Sequence, residues 1–263
     1  MARKKEMCSS ENHEPGAGIV LMKLEELHSF EGHPFKVERN QELFELRCSI
    51  EKEGVLVPLL VRKNPHGDGY EIIAGHRRKE AALWAGLMEV PVIIRELDDD
   101  QSVIAMVDSN LQREKILPSE KAFAYKMRLE AMKRQGFRSD LTSDPVGQKF
   151  SVEKIADNSN DSKTQIQRYI RLTNLVPELL EFVDEGRIKM RPAVELSYLD
   201  EDCQRDVVDE IDLNDATPSH DQTIRMRKLF NEGNLTTEAI HELKRNGEKE
   251  NEGKYYHSIG KRK

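Results

Sequence analysis

The sequence predicts an α+β protein: a small mixed α+β N-terminal domain, then an all-α domain with a helix-turn-helix, then a helical C-terminal segment. Three observations carry this expectation. Short β-type runs alternate with amphipathic helical spacing as far as Glu96. From Asp98 onward the spacing is helical almost throughout. Residues 151–172 hold the small residue, the polar turn and the apolar plug that two steeply crossed helices require.

Composition bounds the rest. A chain of 263 residues is enough for one large domain or two smaller ones. Charged residues make up 34% and apolar ones 37%, a balance that suits a helix-rich protein with much solvated surface. A net charge of -7 argues against coating nucleic acid or acidic lipid along the whole length, and leaves room for a local basic site. Cys8, Cys48 and Cys203 are scattered and form no C-x-x-C, which argues against a disulfide framework or a zinc site. No apolar run approaches the roughly 20 residues that cross a bilayer, and none follows the basic start MARKKEMCSSENHEPGAG as in a signal peptide. The expectation is a cytoplasmic protein with no membrane partner.

Residues 1–19 read as a disordered lead-in, with order beginning near Val20. In QELFELRCSIEKE (41–53), Leu43, Leu46 and Ile50 share one stripe and Gly54 supplies a stop, so a helix is expected. VLVPLLVR (55–62) is a β-type run in which Pro58 suggests an edge strand or a bulge. After the turn NPHGDG come a strand YEIIA (70–74), a helix RRKEAALWAG (77–86) closed by Gly86, and a strand VPVIIRE (90–96). Asp98–Asp100 can cap the helix carrying SVIAMVDSNLQRE (102–114). Pro118 opens a longer helix that Gly136 ends, with six basic residues and one acidic one between Lys121 and Arg138. SDLTSDPVGQKF (139–150) reads as a loop. Helical patterns broken by ATPSH and NEGN lead to a charged tail. The expected boundaries are 20–116, 117–200 and 201–263.

In SVEKIADNSNDSKTQIQRYIRL (151–172), Ser151 can cap a first helix whose inner face is Val152, Ile155 and Ala156. A second helix starts after Ser162 with Ile166, Tyr169 and Ile170 facing inward. Ala156 supplies the small contact, Ile166 the plug, and Asn160 a residue tolerant of positive φ in the turn. The outer face then carries Ser162, Lys163, Thr164, Gln165, Gln167, Arg168 and Arg171, base-edge readers and phosphate binders without a carboxylate among them. The plain alternative is a helical hairpin with a solvated polar face. The basic helix from Lys121 can add phosphate contacts.

A second feature lies earlier. In EIIAGHRRKEAALWAG (71–86) a strand runs into Gly75 at a helix start, where backbone N–H groups and the helix dipole favour an anion. Arg77 and Arg78 add planar forks suited to phosphate oxygens, and His76 one more donor. The plain alternative is a turn followed by two exposed arginines. Asn110 and Arg113, one turn apart at the end of the next helix, offer an amide and a guanidinium that can complete a phosphate or metal-phosphate site.

The order HPF, SIEKEGVLVPLLVR, YEIIAGHRRKEAALWAGLMEVPVIIREL, NLQRE, the helix-turn-helix and LVPELLEFVDEGRIKMRPAVELSYL resembles the ParB partition-protein family over about residues 24 to 200. The resemblance implies an N-terminal unit that binds CTP and a helix-turn-helix that binds a palindromic, centromere-like DNA site. Gly75, His76, Arg77 and Arg78 fall on the family's triphosphate motif. Ser109, Asn110 and Arg113 fall on its phosphate and Mg²⁺ motif, which makes Asn110 a metal contact through the nucleotide. Four departures stand out: His76 and Ser109 where the family has glutamates, Lys36-Val37-Glu38 where it has Gln-Pro-Arg, and no Leu/Gly-rich partner motif within residues 1–20. With the Ser109 glutamate replaced, CTP hydrolysis is not assigned and the catalytic residues stay open. The resemblance further implies a nucleoid-associated homodimer, a sliding clamp switched by nucleotide, plasmid or chromosome segregation, and a ParA-type ATPase partner. A transcriptional regulator with the same two units is the alternative. A nuclease would want clustered carboxylates beside Gly75, and a thiol redox enzyme a cysteine where His76 stands.

Overall fold

The computed structural model describes residues 18–113, 115–137, 146–157 and 159–244. The expected lead-in over 1–17, the first part of the polar loop and the charged tail fall outside the described residues. The chain forms two compact units, residues 1–106 and 107–263, each taken by itself below.

The first unit is built on a five-stranded sheet ordered β1-β5-β3-β4-β2. Its elements are β1 (Ile19–Lys23), β2 (Leu27–Ser29), α1 (Gln41–Glu53), β3 (Leu59–Lys63), β4 (Tyr70–Ala74), α2 (His76–Trp84) and β5 (Glu89–Ile94), with α3 (Asp99–Leu111) beginning in this unit. β1 pairs antiparallel with β5, β5 runs parallel to β3, β3 antiparallel to β4, and β4 parallel to β2. The expectation of three strands missed β1 and β2, which are short and lack a long alternation. Pro58 does not mark an edge. β3 is the central strand and starts one residue after the proline, so the missing N–H costs no ladder bond. The irregularity lies instead between Leu60 and Val61, where the register with β4 shifts.

α1 forms where its apolar stripe and the Gly54 stop predict. Asn40 caps α1 by accepting from the Leu43 N–H at 3.0 Å, and Gly54 ends it at φ 72°. Leu43 and Ile50 of α1, Ala81 and Ala82 of α2, and Leu59, Val61, Ile72, Val90 and Val92 of the sheet share one core. The two alanines are fully buried and let α2 lie close to the strands. Arg62 is 4% exposed and makes ion pairs with Glu71 at 2.7 Å and Asp99 at 2.8 Å, joining two strands to the first turn of α3. Asp98 caps α3 as expected: it accepts from Gln101 N–H at 2.8 Å while the Gln101 amide oxygen accepts from Asp98 N–H.

The second unit is helical: α4 (Pro118–Phe137), α5 (Val146–Asp157), α6 (Lys163–Leu172), α7 (Pro177–Asp184), α8 (Met190–Leu196), α9 (Glu201–Asn214) and α10 (His220–Asn231). Two expectations are corrected. Gly136 lies inside α4 rather than ending it. α5 begins at Val146, within the expected loop, so Ser151 is an interior residue and no cap. The unit includes the end of α3, and α9 and α10 share one core with α7 and α8. Gln204, 1% exposed, stitches that core: its amide oxygen accepts from Val176 N–H at 2.8 Å and its nitrogen donates to the Asn174 and Leu199 carbonyls at 3.0 Å.

Candidate functional site

Gly75 joins β4 to α2 and serves as the N-cap residue of the helix at φ 111°. A Cβ there would lie 2.8 Å from Leu59 Cγ and 3.3 Å from Arg78 Cζ, so both the backbone conformation and the space require glycine. No side chain caps α2, and its first turn carries no acidic residue, so the dipole and the leading N–H groups favour an anion. Leu59 and the Arg78 guanidinium occupy the space that a Cβ on Gly75 would enter.

The side chains around the loop are mostly cations on neutral or weak partners. Arg78 Nη1 donates to the carbonyl oxygens of Val57 at 2.6 Å and Pro58 at 2.5 Å, and burial pulls its pKa below the ordinary guanidinium value. Arg77 pairs with Glu42 at 3.1 Å on the surface. Lys79 donates to the Leu27 carbonyl at 2.5 Å, and burial lowers its pKa as well, with Glu80 opposing. His76 is buried, its ring centroid 3.9 Å from that of His33, whose Nδ1 lies 2.8 Å from the Phe35 carbonyl.

Ser109, Asn110 and Arg113 belong to the second unit. α3 ends at Leu111 rather than at Glu114, so Arg113 stands beyond the helix, its N–H donating to the Asn110 carbonyl at 3.0 Å. Asn110 is buried, with its amide nitrogen 3.5 Å from the Ser109 hydroxyl. Asp108 is turned elsewhere, onto the buried Arg128 at 2.8 Å; burial raises its pKa and Arg128 opposes the rise.

The helix-turn-helix is present. Val152 and Ile155 of α5 and Ile166 of α6 close on Tyr125 of α4, with Ala156, Tyr169 and Ile170 at the margin. Ser162 caps α6 in a capping box with Gln165. The turn differs from expectation: Asn160 is not left-handed, and Asp215 is the only non-glycine residue with positive φ among the described residues. The turn is held instead by Asp161, whose Oδ2 accepts from the Tyr125 hydroxyl at 2.7 Å and from Lys121 at 2.8 Å. Burial, and then the Asp161 carboxylate, push the Tyr125 pKa up. Lys121 and Arg128 of the basic helix are therefore bound within the unit rather than offered to phosphate.

Across the outer face of α6, Thr164 and Gln167 are exposed and Arg168 half-buried. Lys163 is held by Glu153 at 2.5 Å, a carboxylate supplied by α5. Two expected readers are engaged elsewhere. The Gln165 amide oxygen accepts from both the N–H and the hydroxyl of Ser162 at 3.0 Å. Arg171 donates to the Ser197 carbonyl at 2.9 Å and to its hydroxyl at 3.2 Å, and lies over the Tyr198 ring. Sequence reasoning missed Asp161, Glu153 and Tyr198. Only the S-x-x-Q spacing of Ser162 and Gln165 signals such a commitment in the sequence.

Comparison with known proteins matches residues 9–111 to the ParB N-terminal domain and residues 146–219 to the ParB HTH domain. The chain is 36% identical over 173 residues to the chromosome-partitioning protein Spo0J of Thermus thermophilus, covering 66% of this chain and 57% of the relative. It is 35% identical over 173 residues to the probable chromosome 1-partitioning protein ParB of Deinococcus radiodurans, covering 66% and 54%. The chain thus spans little more than half the length of these curated relatives. Solved structures that resemble it include C-terminally truncated ParB from Caulobacter crescentus complexed to the centromeric parS site, at TM-score 0.47 and 24% identity over 86% of this chain and 99% of that one. The same protein complexed with CTP-gamma-S matches at TM-score 0.35 and 29% identity over 68% and 92%.

Proposed function

Since the chain belongs to the ParB family, we propose that it is a site-specific DNA-binding partition protein whose DNA engagement is switched by CTP. The observation that carries the DNA half is α6. Its inner face is fixed by Ile166, 0% exposed, while Thr164, Gln167 and Arg168 stand on the opposite side of a capped helix. An exposed polar face on a rigid, short helix is what enters a major groove. Lys163 and Arg168 supply phosphate contacts, and Thr164 and Gln167 reach base edges.

The Gly75 loop supports the nucleotide half. Uncapped N–H groups at the start of α2, with Arg77 and Arg78 beside them, suit the charge of a triphosphate. The family resemblance adds Ser109, Asn110 and Arg113, with Mg²⁺ brought by the nucleotide. Nucleotide binding then acts by favouring one of two DNA-engaged states in a homodimer, an open one that loads and a closed one that slides. A ParA-type ATPase and a nucleoid location follow from the same reading.

The test has two arms. Duplexes enriched by the protein from random-sequence DNA are sequenced, and a palindromic consensus is expected. Calorimetric titration with each nucleoside triphosphate, with and without the enriched duplex, is expected to show heat for CTP alone. Equal binding of all four triphosphates, or enrichment of no sequence, would remove the corresponding half of the proposal.

A further inference from the structure

Arg171 leaves α6 on the same side as Thr164, seven residues earlier, and its side chain reaches the C-terminal end of α8. Its Nη2 donates to the Ser197 carbonyl at 2.9 Å and its Nε to the Ser197 hydroxyl at 3.2 Å. Ser197 is the C-cap of α8 and only 2% exposed. Its carbonyl lies at the end of α8 that leaves oxygens without intrahelical donors and where the dipole favours a cation.

The next residue extends the contact. Tyr198 has the Arg171 guanidinium carbon 3.9 Å from its ring centroid, and that of Arg227 from α10 at 3.5 Å. Arg227 also pairs with Glu195 of α8 at 3.0 Å. Two arginines from two different helices are therefore stacked on one ring, each also bonded to a residue close by in sequence, Ser197 or Glu195. Both bonds lie within the second unit, so they fix α6 against α8 and α10 of the same body.

We propose that Arg171, Tyr198 and Arg227 form a clamp that sets the tilt of α6, with Arg171 acting as a positioning residue and not as a DNA contact. The proposal rests on the reading of α6 as the DNA reader. A helix of 10 residues is about 15 Å long, so a tilt of about 10° at one end displaces the other by about 2–3 Å. The N-terminal half, with Thr164 and Gln167, is the end that must meet base edges. The capping box stiffens that end internally, whereas the clamp holds the opposite end to the rest of the unit. A tilt of this size reaches the tolerance within which a binding constellation works.

The salt dependence of DNA binding separates positioning from contact, because a side chain that neutralises a phosphate contributes about one to the slope of log affinity against log salt. The probe is the duplex that the wild-type protein enriches from random-sequence DNA. Tyr198→Ala and Arg227→Gln are expected to weaken its binding about tenfold with the salt slope unchanged. Tyr198→Phe keeps the ring and is expected to bind as the wild type does. Amide hydrogen exchange over residues 169–174 is expected to quicken in Tyr198→Ala, in the absence of DNA, while the melting curve by circular dichroism stays cooperative. A slope that falls by about one in Arg171→Gln, with Tyr198→Ala binding normally, would make Arg171 a phosphate contact and overturn the clamp. Unchanged exchange in Tyr198→Ala would overturn it as well. If no duplex is enriched, the DNA-reader reading fails on its own, and the exchange measurement still decides whether the clamp exists.

Discussion

The Arg78 guanidinium lies against Gly75 so closely that a Cβ on the glycine would come within 3.3 Å of Arg78 Cζ. The same guanidinium is bonded to the Val57 and Pro58 carbonyls, which end the loop leading into the central strand. One arginine thus joins the turn before β3 to the turn after β4, through two neutral carbonyl oxygens.

Gly75→Ala puts a methyl group 2.8 Å from Leu59 Cγ on a residue at φ 111°. The expected cost is at least about 1–3 kcal/mol of stability in the first unit. Trp84, the only tryptophan in the chain, packs against that unit's core and reports the loss in a urea titration followed by fluorescence.

Arg78→Ala removes the fork that stands over the first turn of α2. CTP affinity is expected to fall by about 2–3 kcal/mol in a calorimetric titration, the worth of hydrogen bonds to a charged group. Binding to the enriched duplex without nucleotide should stay as it was. Arg78→Lys should recover only part of the affinity, because an ammonium cannot reproduce the planar pair of donors.

Glu153 holds Lys163 at 2.5 Å with both side chains substantially exposed. Such a pair contributes at most about 1 kcal/mol to stability, but it occupies a cation on the DNA-facing helix. Glu153→Gln is expected to tighten duplex binding about two- to fivefold and to leave the melting temperature nearly unchanged. Arg168→Ala, in contrast, is expected to weaken binding and lower the salt slope by about one.

Ser162→Ala and Thr164→Ala separate capping from recognition on adjacent residues. Loss of the Ser162 side chain breaks the capping box and should lower stability by about 0.5–2 kcal/mol. Thr164→Ala should leave stability within about 0.5 kcal/mol and change the sequence preference of the enriched duplexes. A thermal melt and a repeated selection measure the two effects.

The Tyr125 hydroxyl gives the second unit a dependence on alkaline pH. Burial, chiefly, and the Asp161 carboxylate raise its pKa above the ordinary value of 10.0, so the folded state holds the proton more tightly than the unfolded state does. The stability it contributes is complete below about pH 10 and is lost as pH rises from there toward the folded pKa. Tyr125→Phe should cost about 1 kcal/mol at neutral pH and show a shallower decline above pH 10 than the wild type. Denaturant titrations at pH 7 and at pH 10.5 compare the two slopes.

What the sequence held was local. The stripe of Leu43 and Ile50, the cap Asp98, the glycine between β4 and α2, and the spacing of Ala156 and Ile166 are each written within one or two turns of chain, where propensity and capping act. The departures came from bonds between distant residues. β1 and β2 were too short to announce themselves and exist because β5 and β4 supply ladder partners. Pro58 suggested an edge or a bulge; it precedes the central strand, whose register with β4 shifts between Leu60 and Val61, a placement set by pairing rather than by propensity.

The same division runs through the candidate site. The sequence by itself determined which residue types stand at the start of α2 and along α6, and so the charge and polarity each surface can offer. Only the tertiary structure decided which of those side chains are spent. Gln165 is drawn into its own helix cap, Arg171 onto Ser197 and Tyr198, Lys163 onto Glu153, and Lys121 and Tyr125 onto Asp161. A long polar side chain reaches whatever oppositely charged or aromatic group packing brings near, and that neighbour lies as many as 40 residues away in the chain.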